Sequence, residues 1–465
     1  MKPRGMFGKG DGGGGPTWQQ IERLRRLRGL SDTTGLLPRV HSGSTPDDFF
    51  DKLEQKAHTL PTWNGELYFE LHRGVYTTQA QTKRNNRTSE ILLRDIELLA
   101  TIASIDNKAY KYPKKDIDDM WESVLLCQFH DCLPVLSGKA NQFVIFDDKP
   151  IYWQAWDVEV FHLETREELD NSTTSILEDT PLRVSVVTET KISDVSSIKT
   201  TISLSAAFDD EESQSYLECT AVVDWHETMK FLKVEFPVDV RHHEASYDTQ
   251  FGIIRRPTHY NTSWDMAKFE VCCHKYADLS EYGYGVSILN DSKYGFSTLG
   301  NTMRLSLLRS PKAPDDKADM GKHTIRWAIL PHQGPLGPET VRASFNFNNP
   351  LKVVSVSPSS PLSTCPITLI GDQNLVMDTI KRGEDDEDIS QGGFPTRSDR
   401  SIIVRVYESL GGRGKGTVKT HWQLKSVHKT NLLEDDEDEV PLGGNNFEVD
   451  LGPFQLQTYR LVVKP

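Results

Sequence analysis

Near residue 138 the hydrophobic pattern changes period, and this break constrains the fold more than any other feature of the chain. Before it, apolar residues recur every three or four positions, the spacing of one helix face. Residues 17–30 place Ile21, Leu24, Leu27 and Leu30 at that spacing, with Thr17 as the N-cap. Residues 46–57 predict a second helix with Phe49, Phe50 and Leu53 inward. Residues 66–71 (ELYFEL) alternate and predict a strand. A long helix is expected over 79–106, its apolar face made of Ile91, Leu92, Ile96, Leu99 and Ile102. A further helix over 115–129 turns Met120, Trp121, Val124, Leu125 and Phe129 inward, and Pro134 ends its pattern. After residue 138 short alternating runs take over: 142–146, 182–190, 199–205, 217–224, 229–236, 286–290, 303–308, 323–330, 402–407 and 455–463. Short strands separated by turn residues predict a large antiparallel β-sandwich region, so the fold class is multi-domain α+β.

A chain of 465 residues is long enough for about three domains with sizeable cores. Its 37% hydrophobic and 26% charged content is that of a globular protein. A net charge of −14 argues against nucleic acid or an anionic membrane as partner and suits a neutral ligand such as a sugar. No apolar run reaches the length of a membrane span, and the first residues do not form a signal peptide. The six cysteines are scattered without a CxxC pair, the usage of a reducing compartment. On that reading the N-x-S/T triplets at Asn86, Asn171, Asn261 and Asn290 are chance matches. The acidic runs Glu384–Asp388 and Glu434–Glu439 read as solvated loop tips.

Few short motifs carry chemistry. Gly8, Gly10 and Gly13 satisfy a formal GxGxxG, but too few residues precede them for the strand that a dinucleotide site needs. GGRGKGT at 411–417 misses phosphate-loop spacing and reads as a hairpin turn. His130, in FHD at a predicted helix end, reads either as a satisfied core histidine or as a metal ligand oriented by Asp131. In RHHE (241–244) the consecutive His242 and His243 point to opposite sides of a strand and do not readily share a metal. Cys272 and Cys273 are read as packing residues. RPTHYNTSWD (256–265) suits a sugar-binding loop and a structural turn equally.

Longer stretches are more specific. GDGGGGPT (10–17), residues 65–97, WESVLLCQFHDCLP (121–134), and residues 140–165, 251–295 and 305–323 together span most of the chain. They resemble the cytosolic and vacuolar branch of glycoside hydrolase family 38 α-mannosidases. The resemblance implies retaining hydrolysis of terminal α-mannosides in mannose-containing oligosaccharides, with zinc (cobalt as a substitute) held by two histidines and two aspartates. It implies that His130 is a zinc ligand, that Asp131 contacts substrate, and that Asp11 lies near the sugar, as acid/base or otherwise. It divides the chain into a C-terminal remnant of an α/β barrel (1–72), a partial three-helix bundle (73–137) and C-terminal β-sandwich domains (138–465). Cytoplasm or vacuole is the implied location, and homo-oligomerisation stays open.

Two departures from the family pattern shape the expectations. The family's His-x-Asp zinc pair and its nucleophile strand lie upstream of the glycine-rich loop, and this sequence shows no replacement downstream. LPVLSGKANQF (133–143) joins the bundle directly to a β-strand where the family has a long intervening segment. One histidine and an adjacent aspartate are too few ligands to hold zinc well. The chain alone is therefore expected to bind zinc poorly and hydrolyse little. The alternative is a non-catalytic β-sandwich module that contacts carbohydrate or associates with a complete enzyme.

Overall fold

A computed structural model describes residues 9, 14–35, 45–63, 66–68, 70–128, 141–206, 215–353, 355, 365–391 and 396–464. The chain divides into two compact units, Met1–Phe69 and Glu70–Pro465.

The first unit contains α1 (Trp18–Thr34) and α2 (Pro46–Glu54). Thr17 caps α1 as expected: its hydroxyl accepts from Gln20 N, and the Gln20 side chain accepts from Thr17 N. Gly35 ends the helix at φ 65°, where glycine carries no penalty. Thr45 and Asp48 cap α2 in the same way. The expected inward faces do not form, since Ile21, Leu27, Leu30 and Phe50 are exposed. The described residues of 66–71 contain no strand, because alternation alone supplies no partner for a strand's backbone groups.

In the second unit α3 (Ala80–Asp106) and α4 (Lys114–Cys127) pack together. The α3 face differs from the sequence expectation. Leu92, Ile96 and Leu99 are exposed, while Lys83, Asn86, Arg87, Glu97, Thr101 and Ser104 are buried. Their partners come from distant segments: Arg87 donates to Tyr294 Oη and Asn348 Oδ1, both at 3.0 Å, and Ser104 Oγ accepts from Arg382 at 3.0 Å. A satisfied polar face can be buried, and apolar periodicity cannot detect it. On α4 Ile117 and Val124 are buried, but Met120 and Leu125 are exposed.

Every strand expected after residue 138 is present. A six-stranded sheet, from Val271–Cys272 at one edge to Glu167–Glu168 at the other, faces a nine-stranded sheet running from Ser172–Asp179 to Gly252–Pro257. Their shared core joins Phe143, Leu232 and Phe296 of the first sheet to Trp225, Tyr247 and Trp327 of the second. The short helix α5 (Ser263–Met266) follows the nine-stranded sheet's last edge. The helix α6 (Pro338–Asn348) packs Val341, Ala343 and Phe347 against that sheet with Tyr276, Leu289 and Leu330. A second sandwich of three and five strands encloses Val418, Phe447, Val404 and Leu461, and Ile102 of α3 joins this core.

Two turn expectations are corrected. Residues 411–417 do not form a hairpin: Ser401–Glu408 belongs to the five-stranded sheet and Gly414–Thr420 to the three-stranded one, so the glycines cross between sheets. The first acidic run is not a solvated tip: Asp386 is fully buried against Arg382 at 2.8 Å, and Asp385 pairs with Arg397 and Arg460. In the second run Glu434 is buried and pairs with Lys381, while residues 435–439 are exposed. Asn86 and Asn290 are buried, so neither can carry a glycan in the folded chain.

Candidate functional site

Asp11, His130 and Asp131 lie outside the described residues. The backbone on either side of Asp11 closes a loop in the first unit: Lys9 N donates to Gly15 O and Gly14 N donates to Lys9 O, each at 2.8 Å. A Cβ at Gly14 would stand 2.8 Å from Lys9 O, so glycine is required for this closure.

In the second unit a polar frame fixes the end of α4, just before His130 and Asp131. Asn86 Nδ2 donates to Cys127 O at 2.8 Å, and the Gln128 amide donates to the Glu90 carboxylate. Arg87 lies 3.6 Å from Glu90 and stacks on Tyr294, with its carbon Cζ 4.9 Å from the ring centroid. Burial raises the Glu90 pKa despite the opposing pull of Arg87 and Gln128. On the far side of this segment Asn141 Oδ1 accepts from Trp327 Nε1 at 3.0 Å. No short motif singles out the frame residues: Asn86 and Arg87 lie in a polar run, KRNNR, and Glu90 and Gln128 fall only within the long stretches that carry the resemblance.

Among the described residues no group of three or more His, Cys, Asp or Glu side chains is placed to hold a metal ion. The described residues therefore do not make up a zinc donor set. The other sequence candidates have structural surroundings. His242 and His243 stack at 4.6 Å, and His242 Nδ1 is engaged by the backbone of Glu244. The five described cysteines are free thiols. Burial pushes the Cys272 thiol up to about 12 and also raises Cys273 well above the ordinary thiol range, the opposite of an activated thiol. The 256–265 stretch forms a strand end and then α5, whose N-cap Thr262 is bonded to Asp265 at 2.8 Å. Tyr260 packs into a cluster with Phe146 and Phe231, while Trp264 is exposed.

Comparison with known proteins matches three family descriptions. These are "Alpha mannosidase middle domain" over residues 70–158, "Glycosyl hydrolases family 38 C-terminal domain" over 133–317, and "Glycosyl hydrolases family 38 C-terminal beta sandwich domain" over 374–459. The alpha-mannosidase of Saccharomyces cerevisiae is 38% identical, covering 98% of this chain and 54% of that protein. Alpha-mannosidase 2C1 of Homo sapiens is 31% identical over 99% of this chain and 56% of its own length. The chain thus spans about half the length of the curated relatives it matches. The yeast match extends over 585 positions against a chain of 465 residues, so at least 120 of those positions lie opposite gaps. An alpha-mannosidase structure from Enterococcus faecalis V583 shares the fold, with a TM-score of 0.55 and 13% identity over 69% of this chain and 38% of that one. By these matches, which tile the second unit from its first helices to its last sheet, the chain belongs to glycosyl hydrolase family 38.

Proposed function

We propose that the chain serves retaining hydrolysis of terminal α-D-mannosyl residues in oligosaccharide catabolism, in the cytoplasm or vacuole. The observation that carries this reading is the 38% identity to the yeast alpha-mannosidase along 98% of the chain. In this reading residues 1–72 are the end of the catalytic α/β domain, 73–137 a partial helical bundle and 138–465 the C-terminal β-sandwich domains. His130 is a zinc ligand, Asp131 contacts the sugar and Asp11 lies beside it. Zinc, when bound, would grip sugar hydroxyls and stabilise developing charge. The chain's own contribution is positional: Asn86, Glu90 and Gln128 hold the helix end from which His130 and Asp131 follow. A retaining reaction also needs a nucleophile and an acid/base with carboxyl groups about 5 Å apart. In this reading Asp11 is a candidate for the acid/base.

The gaps in the yeast alignment favour a second reading, a non-catalytic module that contacts carbohydrate or a complete enzyme. We assign those gaps mainly to the junction at 133–143. Hydrolysis of an aryl α-mannoside by the purified chain, with zinc or cobalt supplied, separates the two. The expected turnover is low. Clear turnover that disappears in His130→Ala establishes a working site within this chain. No turnover from folded protein means that the chain keeps the family's bundle and β-domains without its chemistry, and favours the module. Zinc content is an independent check: stoichiometric metal in the purified chain would overturn the expectation of weak binding.

A further inference from the structure

The junction of α3, α6 and the strand Leu375–Arg382 encloses a groove of about 260 Å³. Its Arg94 lies about one helical turn along α3 from Glu90 of the frame, and it joins segments of different family domains: α3 falls in the middle-domain match and the strand in the terminal-sandwich match. Sites for small ligands concentrate at such domain junctions.

Two of the groove's polar residues, Arg94 and Asn346, are uncommitted among the described residues, while Asn349 Nδ2 donates to Phe345 O at 2.8 Å. Arg94 rests its guanidinium 5.8 Å from the Phe345 ring centroid and makes no ion pair or hydrogen bond among the described residues. The Asn346 amide, on exposed helix surface, is equally free among them. Asp378 is the extra residue of a β-bulge, since the pairing with Ser401–Glu408 shifts register between Met377 and Thr379. Bulges re-aim a side chain and gather beside functional sites. Asp378 enters the groove's lining with one oxygen already accepting from Thr379. Leu98, Met377 and Ile380 supply an apolar floor.

Charge selects the ligand class. Asp95 is matched by Lys352, which leaves Arg94 opposite Asp378 and the lining close to neutral. A free anion would meet Asp378 and the chain's net charge of −14. A neutral polyol can use a planar donor, a planar acceptor, an amide offering both, and an apolar floor for its C–H face.

We propose that this groove binds one neutral hexose unit of a glycan without cleaving it. The choice of a saccharide rests on the glycan-handling reading above. Methyl α-D-mannopyranoside titrated into the full chain, followed by calorimetry, is expected to bind with a dissociation constant of about 1 mM. Arg94→Ala and Asn346→Ala should each weaken binding about tenfold or more, through the lost hydrogen bonds. His130→Ala should leave it unchanged, and Arg94→Ala should leave any aryl mannoside turnover unchanged. Asn346 contributes no core contact, so its variant tests the site even if Arg94→Ala folds poorly. No binding by folded chain overturns the proposal. So does wild-type affinity in folded variants, loss of binding in His130→Ala, or tighter binding of inorganic phosphate. Binding that persists in a chain without turnover supports the groove while refuting catalysis.

Discussion

Arg309 shows how much single side chains in this fold carry. Fully buried, it donates to Asp148 Oδ2 at 2.8 Å and Oδ1 at 3.1 Å, to Thr78 Oγ1 at 3.0 Å, and to the carbonyls of Ala155, Gln154 and Asp157. It thereby ties the segment before α3 to the first sandwich. Arg309→Met should cost about 3–5 kcal/mol, because Asp148 and the carbonyls stay buried without their donors. Urea denaturation measures this, and a cost below about 1 kcal/mol would refute the account. His274 sets a pH dependence. Burial lowers its pKa to about 4, against the pull of Asp248 and with help from Arg87 and Lys275. Its folded pKa lies below the ordinary 6.5, so the unfolded chain binds the extra proton between those values. This contribution is complete above pH 6.5, falls as pH drops towards 4, and is constant below that; it amounts to about 3 kcal/mol. His274→Gln should flatten the change in urea midpoint between pH 7 and pH 5.

Elements differ in how openly the sequence announces them. The strands after residue 138 are legible as short apolar runs bounded by turn residues; some, such as Arg183–Lys191, alternate with one buried face, while others, such as Gln142–Asp147 and Ser401–Glu408, are buried on both. The α3 face is not legible, since Arg87 and Ser104 are satisfied by Tyr294 and Arg382, far along the chain. Nor is the sheet-to-sheet crossing at 411–417, where glycine richness reports a turn but not which strands it joins. Gly411 shows what that crossing needs: its φ is 80°, and a Cβ there would stand 2.7 Å from the Phe454 ring. Gly411→Ala should cost about 1–3 kcal/mol by thermal melting, from left-handed strain plus the clash. The exposed Leu92, Ile96 and Leu99 form one stripe on α3. Replacing them with Gln should leave the melting temperature within a few degrees and reduce self-association in light scattering; a large loss of stability would show that the stripe is covered.

In the second unit two sandwiches carry the stability and α3 connects them. The site is far less legible than the fold, because its chemistry rests on few residues and Asp11, His130 and Asp131 show their roles only through resemblance. Residues 1–72 hold many exposed apolar side chains, among them Trp18, Ile21, Phe50 and Trp63. The purified chain should therefore aggregate with rising concentration, and a monodisperse sample in light scattering would count against this. α3 has a further consequence. Asp319, beside the first sandwich, accepts from Gln79 N and Ala80 N at its start, while Asp106 at its end accepts from Trp422 Nε1 of the second at 2.6 Å. The helix between them is 27 residues, about 40 Å, and acts as a ruler. One residue inserted near its middle would lengthen it by about 1.5 Å and turn one end about 100° against the other, so the two grips could no longer close together. The same insertion in the turn at 108–109 changes neither distance nor phase. The spacing of the two sandwiches is thus written as a count of residues, which tolerates substitution along its exposed face but not a change in number.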